Sequence, residues 1–170
     1  MGSFVMDKIF LALLGLFYTL DAVAVDSYSI YLVRHAEKQK EGENPKLTDC
    51  GKRRAKELAN LLSQANIRQV YSTSYQRTRQ TASPLAKANK LAIQNYNPRY
   101  LAQLAIQLQK RKENTLVVGH SNTTPQLAEL LIKQEMPPLR ENDYQQLYQI
   151  HFIGKQNIIT KLTQPLICIQ

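Results

Sequence analysis

The sequence predicts an α/β fold: a single-domain three-layer sandwich with a mostly parallel central sheet and helices on both faces. Short β-branched and aromatic runs alternate along the chain with stretches of helical period, the pattern of βαβ units. No internal repeat, low-complexity tract or Gly/Ser-rich linker divides it. A length of 170 residues, 44% of them hydrophobic and 21% charged, suits one self-supporting globular core.

The first 24 residues are set apart from that domain, which is placed at 25–170. Met6-Asp7-Lys8 precedes an apolar run from Ile9 to Leu20, and Ala22-Val23-Ala24 follows as a small-x-small cleavage site. These parts read as a secretory signal peptide, so the mature protein is expected to be exported, periplasmic or secreted. The apolar run falls short of the about 20 residues that span a bilayer, so no stable membrane span is expected after cleavage.

Ser29 to Val33 reads as the first strand and ends abruptly in Arg34-His35. Glu41 to Asp49 is a loop, with Gly42, Asn44, Pro45 and Thr48. Gly51 to Gln64 spaces Ala55, Leu58, Ala59, Leu61 and Leu62 as a helix does. A strand is predicted over Ile67 to Tyr71, then a helix over Tyr75 to Asn89 that Pro84 kinks or restarts. Leu91 to Ile93 reads as a third strand, and Pro98 as the opening of a helix through Gln109. Thr115 to Val118 is an apolar strand ended by Gly119-His120-Ser121. A helix over Thr124 to Lys133 precedes two strands, Gln146 to Phe152 and Asn157 to Leu162, turned by Gly154 into an antiparallel hairpin.

The chain carries a formal charge of +9, which rises to +10 once Lys8, Asp7 and Asp21 leave with the first 24 residues. Such a charge favours anionic partners. The basic clusters Lys52-Arg53-Arg54 and Lys110-Arg111-Lys112 lack the interleaved aromatics of base stacking, so no nucleic-acid partner is expected. Cys50 and Cys168 form no CxxC or Cys/His cluster, and no metal site is expected. Whether the two cysteines pair is open, because sequence separation says nothing of distance in space.

In open α/β sheets, ligands bind beyond the carboxyl ends of the strands. Two of the three histidines, His35 and His120, stand at such ends. The third, His151, lies within a strand pattern and reads as structural.

The segments "LVRHAEK", "LTDCGKRRA", "YSTSYQRTRQTA" and "VVGHSN" together resemble the histidine phosphatase superfamily, over Ile30 to about Asn122. Ala36 stands where that family's Arg-His-Gly box has glycine. The resemblance implies a metal-independent phosphatase without cofactor, acting on a phosphorylated substrate. His35 would be the nucleophile, forming a phosphohistidine, with Arg34, Arg77 and His120 binding phosphate. Asn44 and Thr48, in the loop after the first box, are candidates for further phosphate contacts. The residue types suit that chemistry. A phosphate dianion calls for fixed positive charge, which guanidinium forks supply. A nucleophilic imidazole must be neutral and held in one tautomer. His120, in cationic form, would favour the transition state, and Ser121 and Asn122 would cap the helix that follows.

One departure from the family's pattern stands out: Thr78 to Lys112 contains no Asp or Glu to protonate a leaving oxygen. Glu37, Glu129 and Asp143 remain as donors from other segments, with Glu113 at the far end of its strand. An alternative to the enzyme is a catalytically weak phosphate-binding module of the same fold.

Overall fold

The computed structural model of the protein describes residues 26–166. The signal-peptide reading of 1–24 and any placement of Cys168 lie outside those residues. Ten elements follow one another: β1 (Ser27–Arg34), α1 (Asp49–Leu61), β2 (Gln69–Ser72), α2 (Gln76–Ala88), β3 (Ile93–Asn95), α3 (Leu101–Arg111), β4 (Thr115–Gly119), α4 (Thr123–Ile132), β5 (Gln146–Ile153) and β6 (Gln156–Thr163). One six-stranded sheet forms, in the order β3-β2-β4-β1-β5-β6. Its first four strands are parallel; β5 pairs antiparallel with β1, and β6 antiparallel with β5.

The layers follow from strand alternation, which sends successive side chains to opposite faces. Ile30 and Leu32 of β1 enter a core with Leu104 and Leu108 of α3 and Leu127 and Leu131 of α4. Tyr31 and Val33 enter another with Leu58 of α1 and Ala82 and Leu85 of α2. Helices therefore cover both faces, as expected of a sheet whose central strands are apolar on both sides. No helix among the described residues is long and apolar enough to cross a membrane.

Two local expectations are corrected. Pro84 does not restart its helix, since α2 runs unbroken from Gln76 to Ala88. Pro98 does not open α3; the helix starts at Leu101, after a turn in which Asn97 Oδ1 accepts from the Arg99 amide and Asn97 O from Tyr100. The β5–β6 hairpin forms as predicted, with Gly154 at φ +57°. His151 sits opposite Ser29 in the β1–β5 register, and its ring nitrogens meet Ser29 Oγ at 2.9 Å and Ser27 Oγ at 3.3 Å. It is structural.

Candidate active site

The β1–β4 register builds the site. Arg34 pairs with Gly119, and the His35 amide donates to the Gly119 carbonyl at 2.9 Å. His35 and His120, each one residue beyond that pair, emerge together, with ring centroids 5.6 Å apart. Parallel β2 ends at the same edge, so α2 starts there and carries Arg77 in its first turn. Gly119 permits this crowding: a Cβ there would lie within 3.0 Å of the Thr123, Thr124 and Tyr96 hydroxyls. An open cleft of about 410 Å³ results, with Arg34, His35, Arg77 and His120 in its lining. The N-termini of α2 and α4 both open towards this edge, which favours an anion.

His35 is nearly fully buried, and its Nδ1 lies 2.8 Å from the Ala36 carbonyl. A carbonyl only accepts, so Nδ1 carries the proton and Nε2 keeps a bare lone pair. Burial first, then the positive charges of Arg34 and Arg77, push its pKa down to about 3, against the opposing pull of the Ala36 carbonyl. The ring is therefore neutral across the physiological range. That is the state a nucleophile needs.

His120 is neutral too. Burial, then Arg77 and Arg34, lower its pKa to about 4, so the expected imidazolium is not the form found here. Its Nε2 lies 3.1 Å from Thr73 Oγ1, which lies 2.8 Å from Thr78 Oγ1. The Tyr75 carbonyl at 2.9 Å and the Thr73 carbonyl at 3.2 Å also stand within hydrogen-bond reach of the Thr78 hydroxyl.

Arg34 is not the open fork that the sequence suggests. Arg34 Nη1 donates to the carbonyls of Arg140 (3.0 Å) and Glu141 (2.5 Å), and Nη2 to the Glu141 carboxylate (3.0 Å). What stays unpaired, on buried atoms, is Nε of Arg34 and Nε of Arg77. Buried donors are nearly always satisfied, so two orphans in one cleft point to an acceptor that belongs there. Tyr144 and Tyr75 back the guanidiniums, with the Arg34 and Arg77 carbons each 4.4 Å from a ring centroid.

Asn44 and Thr48 do not line the cleft. Asn44 Oδ1 accepts from the Gln76 amide at 2.9 Å and so caps α2. Thr48 caps α1, accepting from the Gly51 amide at 3.0 Å and donating to the Glu37 carbonyl at 3.3 Å. Polar loop residues before a helix serve such caps readily, and both hold the walls rather than face the cleft. Asn122 occupies the N-cap position of α4 without a side-chain bond; Ser121 and Asn122 border the cleft instead.

The candidate acids also find other work. Glu37 is buried and bound by Arg54, with Nε–O distances of 3.0 and 2.9 Å and an Nη2–O distance of 2.6 Å. Glu129 accepts from the Met136 amide, and Asp143 from the Arg140 amide. Glu113, at the entry to β4, pairs with Gln69 and Arg111. The carboxylate that does reach the cleft, Glu141, was not singled out by the sequence: it lies in the segment between α4 and β5, over 100 residues from Arg34. No local motif announces it. Thr73 and Thr78 were missed as well, although both stand inside the "YSTSYQRTRQTA" segment. That segment also clamps the loop after β1: Thr81 Oγ1 accepts from the Ala36 amide at 3.0 Å and Gln80 Oε1 from the Leu47 amide at 2.8 Å.

Comparison with known proteins bears on the family signature and the fold. The family model described as histidine phosphatase superfamily (branch 1) matches residues 30–97. No curated protein matches the chain significantly in sequence. Among solved structures, the protein histidine phosphatase SixA, complexed with tungstate, is similar at a TM-score of 0.65 and 14% identity, over 80% of this chain and 97% of that one. A mycobacterial glucosyl-3-phosphoglycerate phosphatase is similar at 0.59 and 11% identity, over 74% and 90% of the two chains. The phosphoserine phosphatase of Entamoeba histolytica, solved with 3-phosphoglyceric acid, gives 0.56 and 15% identity, over 78% and 95%. At these identities the likeness concerns the fold.

Proposed function

We propose, from the premise that the chain carries the histidine phosphatase superfamily's signature on that superfamily's fold, that it is a phosphatase working through a phosphohistidine on His35. The carrying observation is the bare Nε2 of His35 in a cleft where two buried guanidinium Nε–H groups have no acceptor. A phosphoryl group held by those donors would accept both bonds and present phosphorus to the imidazole.

In the first step, His35 Nε2 attacks phosphorus, the bond to the leaving oxygen or nitrogen breaks, and that atom departs with the electron pair. In the second, water attacks phosphorus, the P–N bond breaks and its electrons return to Nε2, releasing inorganic phosphate. Two moderate barriers replace one high barrier. Arg34, Arg77 and His120 would stabilise the charge shifting on the equatorial oxygens. The dianion opposes the influences that lower the His120 pKa, so binding favours proton uptake by that ring.

Glu141 is the one carboxylate lining the cleft among the described residues, and one of its oxygens already accepts from Arg34. The reading therefore favours substrates whose leaving group departs readily, such as aryl or acyl phosphates and phosphoramidates. The same observation favours the second reading, a module that binds phosphate without turnover. Export remains part of the proposal, and the disulfide at Cys50 supports it, since such bonds persist in oxidising compartments.

Rapid-quench labelling with a ³²P-labelled aryl phosphate tests this. The parent should give an acid-labile phosphoprotein, and His35→Ala none, with turnover reduced by about 10⁴-fold or more. Phosphate binding without labelling would leave the binding module.

A further inference from the structure

Arg77 lines the cleft, and the residue after it turns inward. Thr78 belongs to the buried side of α2 with Thr81, Ala82 and Leu85. A threonine in a helix readily bonds back to a carbonyl three or four residues earlier, and Thr78 has the Tyr75 carbonyl at 2.9 Å. That contact alone would be a local helix feature. Its other contact leads elsewhere: Thr78 Oγ1 lies 2.8 Å from Thr73 Oγ1, which lies 3.1 Å from His120 Nε2. Thr73 is buried too. Hydroxyls thus run from the cleft ring into the core and end on the carbonyls of Tyr75 and Thr73, the latter at 3.2 Å.

Each hydroxyl has one proton to give, so this chain has two settings. In one, Thr78 donates to Thr73 and Thr73 donates to a bare Nε2. In the other, Nε2–H donates to Thr73, Thr73 to Thr78, and Thr78 to a carbonyl. A neutral His120 fits either. An imidazolium carries a proton on both nitrogens and fits only the second. Thr73 Oγ1 has no hydrogen-bond partner among the described residues besides Thr78 and His120. Without the Thr78 oxygen, its proton could turn only to Nε2, the atom that an imidazolium has already filled.

We infer that Thr78 is a positioning residue for phosphoryl transfer: through Thr73, its hydroxyl lets His120 hold a second proton once phosphate is bound. This rests on the phosphatase reading and adds to it a residue that does not line the cleft. The charged and titratable groups around His120 are Arg34 and His35 after β1, Tyr75 and Arg77 at the start of α2, and Lys38, Arg99 and Glu141 in the same cleft lining. The cations among them oppose protonation, and a bound dianion offsets them. Changing Thr78 alters none of these charges. Its effect on the ring is through hydrogen bonding alone.

The test compares the full chain with Thr78→Val, Thr78→Ala and Thr78→Ser, using phenyl phosphate across pH. In the substrate complex, activity that needs the imidazolium is lost as pH rises through the pKa of His120, which gives kcat an alkaline limb. Thr78→Val and Thr78→Ala should move that limb to lower pH. Their kcat at neutral pH should fall about tenfold, the scale of one hydrogen bond to a charged group, and recover on acidification. Thr78→Ser should keep the parent profile. If Thr78→Val does not fold, the alanine and serine variants still differ by the hydroxyl alone. A uniform loss with the limb in place, or the same profile for alanine and serine, would overturn the inference.

Failure of the phosphatase reading looks different, because the parent itself would then turn over no phenyl phosphate. The His120 ring signals, titrated by NMR with saturating inorganic phosphate and assigned by their loss in His120→Asn, decide the inference in that case. Proton affinity about tenfold lower in Thr78→Ala than in Thr78→Ser would support it. Equal affinities would overturn it.

Discussion

Arg34 and Arg54 are both buried arginines bound to a glutamate, yet their surroundings differ in a way that separates architecture from function. Arg54 is 1% exposed, and its partner Glu37 is buried with it; Nε and Nη2 both donate to that carboxylate, and Nη1 to the Leu166 carbonyl. Arg34 is 3% exposed, but the side chain of its partner Glu141 is 73% exposed, and Nε has no acceptor. Burying a guanidinium costs several kcal/mol unless its donors are met. The chain itself meets that cost at Arg54. At Arg34 it does so only in part: Nε is buried without an acceptor, on a residue that lines the cleft. A fully paired buried charge holds the protein together; an incompletely paired one is held for a ligand.

Breaking the first pair should have the largest effect. Glu37→Gln leaves Arg54 buried without its counter-charge, and a loss of about 3–5 kcal/mol is expected in urea denaturation. The damage should reach the loop that follows His35, because the Glu37 carbonyl also accepts from the Thr48 amide at 2.9 Å and abuts Gly51, where a Cβ would collide with it. Arg34→Met should do the opposite. Stability should hold or rise as an incompletely paired charge is removed, while kcat/KM for an aryl phosphate falls about 10²–10³-fold. Equal destabilisation by both changes would erase the distinction.

The same contrast explains what was legible beforehand. The alternation of strands and helices is visible in the sequence, as are Arg34-His35 and His120 where apolar runs end abruptly, whereas Arg77 stands out only through the resemblance of its segment to the histidine phosphatase superfamily. Asn44 and Thr48 were misread because a polar loop residue before a helix looks alike whether it caps an amide or binds an anion. The pairing of Arg34 with the Arg140–Glu141 turn, and the meeting of Lys38 and Arg99 around one cleft, depend on strand order and on contacts over 60 to 107 residues. Local pattern carries no such information. Pro98 illustrates a smaller failure: its fixed φ suits a first helical turn, but the Asn97 turn uses it instead.

A further effect distinguishes the cleft from the Arg54 region through pH. His35 and His120, with folded pKa values of about 3 and about 4, lie below the unfolded value of 6.5. The unfolded chain therefore takes up protons first on acidification. Their contribution to stability is complete above about pH 6.5, is lost progressively between there and pH 4 to 3, and then levels off. Denaturation midpoints measured across that range should fall less steeply in a His35→Asn, His120→Asn double variant than in the parent. Identical slopes would mean that the two rings are not neutral and buried as described.

The smallest effect, and the sharpest test of the contrast, belongs to Glu141→Gln. Arg34 keeps its bonds to the Arg140 and Glu141 carbonyls, and the carboxylate removed is mostly in solvent. A change in stability within about 1 kcal/mol is expected, as for exposed pairs generally. Affinity for inorganic phosphate should rise a few-fold, because a negative charge leaves the approach of a dianion. Weaker phosphate binding would show that the carboxylate orients the guanidinium, so that Arg34 depends on its glutamate much as Arg54 does. In that event the two pairs would differ in exposure alone, and the bare Nε of Arg34 would owe its direction to Glu141.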